Sequence, residues 1–127
     1  MLPLRFRWLW MGVGWLLVAA VCLGSLLPVP ARDIAALLND KFVHFVSYFV
    51  LTVWFSGLYS KKAYYVLIAA VVIALGAALD IAQGTTATRQ FDLLDILANA
   101  IGALVGFTLA FFVVGGWCAR LERWIER

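Results

Sequence analysis

Four stretches of this chain, residues 8–27, 42–59, 63–81 and 93–117, are close to the length at which an apolar helix crosses a bilayer. A hydrocarbon core takes about 20 helical residues. Inside lipid the backbone must satisfy its own hydrogen bonds, so such runs are read as helices. Composition supports this, with 65% hydrophobic and 13% charged residues over 127 positions and a mean hydropathy of +0.99. Ten Lys or Arg and seven Asp or Glu are too few to clothe a water-soluble domain of this length. The expected fold is therefore an all-α membrane protein of four transmembrane helices, forming a single domain over residues 1–127.

Breaks between the runs are marked by local chemistry. Pro28 and Pro30 end the first, Ser60-Lys61-Lys62 form a tight hairpin between the second and third, and Gly84 with Thr85, Thr86 and Thr88 marks a loop after the third. Arg5, Arg7, Lys61, Lys62, Arg120, Arg123 and Arg127 fall on one side, and only Arg32, Lys41 and Arg89 on the other. Basic residues are retained in the cytoplasm, which places both termini there. Trp8, Trp10, Tyr59, Tyr64, Tyr65 and Trp117 would form an aromatic belt at that same interface.

A cleaved signal peptide is a poorer reading of the first run, which is longer than a signal's apolar region and is followed by further spans. Short interfacial helices are expected before the second span, over residues 31–38, and at the C terminus. There Trp117, Leu121, Trp124 and Ile125 line one face against Arg120, Glu122, Arg123, Glu126 and Arg127. Cys22 and Cys118 read as small buried hydrophobes. The charge of +3 is scattered over segment ends without a basic run, so nucleic acid is excluded as a partner.

With this topology the remaining polar residues gather at the extracytoplasmic ends of the second, third and fourth helices. Asp40, His44 and Tyr48 recur every four residues, with Ser47 beside them, and share one helical face. His44 lies roughly 6 Å along the axis from Asp40. Asp80 and Gln83 share a face of the third helix, and Asp92, Asp95, Asn99, Gly102 and Gly106 form a continuous stripe on the fourth. Gly102 and Gly106 are a small-xxx-small pair that permits close helix packing. Polar groups at the depth of Asn99 need partners, which the other stripes can supply.

Three segments carry a resemblance to a known family. They are Asp40-Lys41-Phe42-Val43-His44-Phe45-Val46-Ser47-Tyr48, then Asp80-Ile81-Ala82-Gln83, then the run from Arg89-Gln90-Phe91-Asp92 through Asp95 and Asn99 to Gly102. In this order they resemble the VanZ-like family of small bacterial membrane proteins, whose founding member is linked to teicoplanin resistance. The resemblance covers roughly residues 38–110 and departs at Asp80, where the family often has Glu. It implies a multi-pass protein of the bacterial cytoplasmic (inner) membrane with a role in the cell envelope or in antibiotic resistance.

Each polar residue also has a structural reading. Asp92 with Asp95 is what a helix start looks like, an N-cap followed by an acid that complements the helix dipole, and Asn39 or Asp40 can cap the second helix in the same way. Arg89 is either a salt-bridge partner of Asp80, Asp92 or Asp95, or a guanidinium fork for phosphate or carboxylate. Tyr48 and Asp40 are expected to be structural.

Three functions follow. In the favoured one, the polar pocket binds an anionic envelope lipid or lipid-linked cell-wall precursor through Lys41, His44, Gln83, Arg89 and Asn99. In the second, a small enzyme acts on a lipid-linked phosphate, with His44, Asp80, Asp92 and Asp95 as candidate catalytic groups. In the third, the polar set is interhelical glue for a scaffold or partner-binding module. A single histidine, the lack of a His-x-x-x-His motif, and the absence of a nucleophile elbow or glycine-rich loop give no cofactor or metal expectation. Within the enzyme reading, Asp and His side chains are nonetheless of the kind that hold a divalent ion.

Overall fold

The computed structural model describes residues 1–26, 34–85 and 91–126, with side chains described from position 39 onward in the second segment. The described chain is all-α. Its helices are α1 (Arg7–Leu26), α2 (Ile34–Ser56), α3 (Lys62–Gly84), α4 (Leu93–Leu109) and α5 (Trp117–Ile125). A π turn, Ala110–Val114, extends α4. Among the described residues, three helical stretches are long and apolar enough to cross a membrane: Arg7–Leu26, Lys62–Gly84 and Leu93–Val114. The protein is thus an all-α, multi-pass membrane protein. Many large apolar side chains face outward, Trp8 (76% exposed), Leu16 (70%) and Phe112 (76%) among them, as a lipid-facing surface requires.

α2 is as long as α3, 23 residues each, or about 35 Å. Asn39, Asp40, Lys41, His44, Ser47 and Tyr48 give it a strongly polar N-terminal half. It is nevertheless the most enclosed part of the bundle, with Tyr48, Leu51, Thr52 and Ser56 all at 1% exposure or less. α2 packs most extensively against α4, and α3 leans on both. At the α2–α4 crossing a Cβ on Gly102 would collide with the Phe45 carbonyl oxygen, and one on Gly106 would come within 2.9 Å of the Phe49 oxygen. Glycine there allows backbone to meet backbone.

The structure corrects two expectations about helix boundaries. The short helix expected over residues 31–38 is continuous with α2 from Ile34, its first three positions lying outside the described residues. Asn39 and Asp40 therefore sit inside a helix and cap nothing. At the far end, the fourth helical stretch stops at Val114. Gly115 and Gly116 follow, and Gly116 adopts the left-handed conformation, φ 70°, which a residue without a Cβ reaches without strain.

α5 is a separate short helix, but the face it buries differs from its apolar stripe. Cys118 and Glu122 are buried while Trp124 and Ile125 are exposed. The expected aromatic belt is also partly internal. Trp10, Trp54 and Trp117 pack on one another with ring centroids 5.3–5.7 Å apart, and Tyr65 is buried with its hydroxyl donating to the Tyr59 carbonyl.

Candidate functional site

The polar stripes of α2, α3 and α4 meet at one end of the bundle, opposite the tryptophan cluster. The helical repeat explains the convergence, since Asp40, His44 and Tyr48 share a face of α2 and Asp92, Asp95, Asn99 and Gly102 share one of α4. Close approach at the glycines holds the two faces together. Asp80, on the buried side of α3, closes the third wall.

A continuous hydrogen-bonded relay crosses the three helices. Asn99 Nδ2 donates to Asp80 Oδ2 at 2.9 Å, and Asn99 Oδ1 lies 3.0 Å from His44 Nδ1. Because the amide donor is committed to a carboxylate, the amide oxygen faces the imidazole, and Nδ1 must carry the proton it donates. The remaining ring nitrogen, Nε2, points between two further carboxylates, 3.7 Å from Asp40 Oδ2 and 3.9 Å from Asp95 Oδ2. Asp80, Asn99 and His44 are only 2%, 1% and 7% exposed. The relay is thus buried, with His44 at the edge of the α1–α2 groove, and its groups depend on one another.

Lys41 lies above this layer. Its ammonium pairs with Asp92 Oδ2 at 2.5 Å and with Asp95 Oδ1, so one lysine bridges two carboxylates of α4. Asp92 is at the same time the N-cap of α4, accepting from Leu94 N–H at 2.9 Å. The hydrogen bond from Lys41 holds the Asp92 carboxyl below the ordinary aspartate range against the opposing effect of burial, and the Leu94 N–H adds to it.

Gln83 donates through Nε2 to the Ser25 carbonyl at 2.7 Å, which ties α3 to α1. The Tyr48 hydroxyl is hydrogen-bonded with the Ser25 side chain. Ser25, the buried polar residue of α1, is thus part of the site's periphery, a role its sequence position did not advertise. Arg89, the expected fork for an anion, lies outside the described residues.

Between α1 and α2 runs a groove of about 380 Å³. Leu17, Val21, Val43 and Leu51 line its apolar length, and Asp40, His44 and Ser47 also contribute to its wall. A third buried acid, after Asp80 and Asp95, lies at the far end of the molecule. Glu122 on α5 accepts from the backbone N–H groups of Arg5 and Phe6, each at 2.9 Å, and from Trp10 Nε1 at 2.7 Å. These partners are more than 110 positions away in sequence, and no local motif signals the pairing.

Chemically, the described cluster offers four carboxylates against one lysine and one histidine. It contains an imidazole of defined orientation, suited to proton transfer or ligation, with no serine or cysteine aligned beside it as a nucleophile. Set against protein-family models, curated proteins and solved structures, the chain matches none.

Proposed function

We propose that the protein binds an anionic envelope lipid or a lipid-linked cell-wall precursor, with the acyl or polyprenyl portion along the α1–α2 groove and the headgroup at Asp40, His44 and Ser47. The observation that carries this reading is the groove itself. An apolar channel that reaches ionisable groups complements a molecule with one greasy and one charged part. In the same reading all four long helices span the bacterial cytoplasmic membrane, the termini are cytoplasmic, and the polar end faces outward. The basic residues flanking the spans support that orientation. The resemblance of the ordered polar segments to those of VanZ-like proteins supports a role in envelope maintenance or teicoplanin-type resistance. Arg89, three positions before Asp92 in the chain, supplies a guanidinium for the headgroup.

Lipid analysis of the purified protein tests the proposal. A Cβ at Gly24, which lines the groove, meets nothing within 4 Å, so Gly24→Phe places bulk in the channel without a clash at its root. Mass spectrometry of detergent extracts is expected to find a phosphorylated lipid enriched over the bulk membrane with wild type and depleted with Gly24→Phe. No enrichment in wild type overturns the reading.

A second reading draws on the relay. An imidazole fixed through Nδ1 by Asn99 and facing carboxylates through Nε2 has the form of an acid–base group, which suits turnover of a lipid-linked phosphate. In that case His44→Gln abolishes turnover of an added lipid-linked phosphate, and no turnover by wild type overturns the reading.

A further inference from the structure

We propose that Asp40, His44 and Asp95 together bind one divalent transition-metal ion of the zinc or manganese kind, held between α2 and α4. One ligand atom from each residue can be chosen so that all lie within 4.8 Å of one another. The two closest approaches to His44 Nε2, 3.7 Å and 3.9 Å, are too long for N–H···O hydrogen bonds. They are close to the separation of two ligands sharing an ion, since bonds of about 2.1 Å in a tetrahedral site put neighbouring ligand atoms about 3.4 Å apart. The three ligand atoms, spread over as much as 4.8 Å, would close on an ion by moving in by up to about 1.4 Å.

The orientation of the histidine is a separate observation that points the same way. His44 is more than nine-tenths buried, and its Nδ1 proton is directed to Asn99, which in turn donates to Asp80. In the neutral ring this places the lone pair on Nε2, aimed at the gap between the two carboxylates. Imidazole ligands are commonly set in this way, through a hydrogen bond from the other ring nitrogen. Asp95 is set likewise, with Oδ1 on Lys41 and Oδ2 turned toward His44.

Charge also favours a divalent ion. Asp40 and Asp95 bring two carboxylates to the dication, and Lys41, which bridges Asp92 Oδ2 and Asp95 Oδ1, leaves Asp95 Oδ2 on the His44 side. One nitrogen and two oxygens suit zinc or manganese better than calcium or magnesium, which call for more oxygen ligands. Three protein ligands leave a coordination position open. Asp40 and His44 also line the α1–α2 groove, so that position is available to a phosphate oxygen. A bound cation would then reconcile an acidic cluster with an anionic lipid. Only this last step rests on the lipid reading, because ion binding itself does not require it.

The test uses the full chain in detergent micelles, stripped with a chelator and titrated separately with Zn²⁺ and Mn²⁺, with Co²⁺ as an absorption probe. The expected result is saturable binding of one ion per chain. Affinity should fall by at least about 100-fold in His44→Gln and in Asp95→Asn, and by about 10- to 100-fold in Asn99→Leu, which removes the hydrogen bond that orients the imidazole. Gly24→Phe, which blocks the groove, should bind the ion as wild type does, so failure of the lipid reading and failure of this one are distinguishable. Absence of saturable binding by folded wild type overturns the proposal. So does binding that His44→Gln leaves unchanged, or an NMR signature of a doubly protonated His44 at saturating Zn²⁺.

Discussion

His44 Nδ1 and Asn99 Oδ1 lie 3.0 Å apart, joining α2 to α4 where both side chains are buried. Asn99 also holds Asp80, so one amide satisfies two ionisable residues from two helices. Replacing it with leucine preserves volume and strips both partners at once. A buried group left without a partner costs about 1–3 kcal/mol. Transmembrane hydrogen bonds are often worth less, roughly 0.6 kcal/mol on average, because the unfolded chain in lipid also finds partners. Asn99→Leu is therefore expected to lower unfolding free energy in micelles by about 2 kcal/mol. A thermal or denaturant titration equal to wild type would show that the relay contributes nothing to the fold.

Steric closeness at the same helix pair makes a second prediction. The Gly102 position faces the Phe45 carbonyl oxygen, which is backbone and cannot rotate away. Gly102→Ala should force α2 and α4 apart and destabilise by about 1–3 kcal/mol, the usual range for overpacking. Gly106→Ala, with 2.9 Å to the Phe49 oxygen, should cost less. Gly12→Ala, where nothing lies within 4 Å, serves as the neutral comparison. Equal melting temperatures for all three would count against close α2–α4 contact.

Much of this arrangement was readable from spacing, and what was not depends on tertiary partners. The α4 stripe from Asp92 to Gly106 follows from the 3.6-residue period, and the Asp92 cap from the residue type that ends a loop. The run Asn39-Asp40-Lys41 looked like a boundary. In the fold it lies within a continuous helix, because Asp92 and Asp95 on α4 offset the lysine charge. In sequence Lys41 suggests a contact for an anion, and only the packed structure shows that two aspartates already engage it. Glu122 was assigned to a solvated face, since nothing near it in sequence reveals that Arg5, Phe6 and Trp10 converge on its carboxylate.

Orientation can be checked independently of stability. Lys61, at the exposed α2–α3 connection, and Phe91, exposed ahead of α4, lie on opposite faces of the membrane in the proposed topology. Single cysteines at these positions, in a background lacking Cys22 and Cys118, should react differently with an impermeant thiol reagent in intact cells. Position 91 is expected to label and position 61 to resist until the membrane is opened. The reverse pattern would place the His44 cluster in the cytoplasm.

Glu122 makes the fold's acid sensitivity predictable. Burial alone would push its carboxyl up, but the N–H groups of Phe6 and Arg5 and the Trp10 indole outweigh burial and hold it below the ordinary glutamate value of 4.5. A carboxyl whose folded value is depressed contributes stability that is fully present above its unfolded value. That contribution is lost as pH falls toward the lower folded value. Wild type should therefore show a constant contribution from Glu122 near neutrality and a declining one below about pH 5. Glu122→Gln removes the charge that the two backbone N–H groups ahead of α1 receive, so it should melt at a lower temperature than wild type at pH 7. The gap between the two should narrow on acidification, as the wild-type carboxyl takes up a proton and comes to resemble the amide. Parallel melting curves from pH 7 to about pH 3.5 would mean that the α1–α5 junction does not depend on this charge.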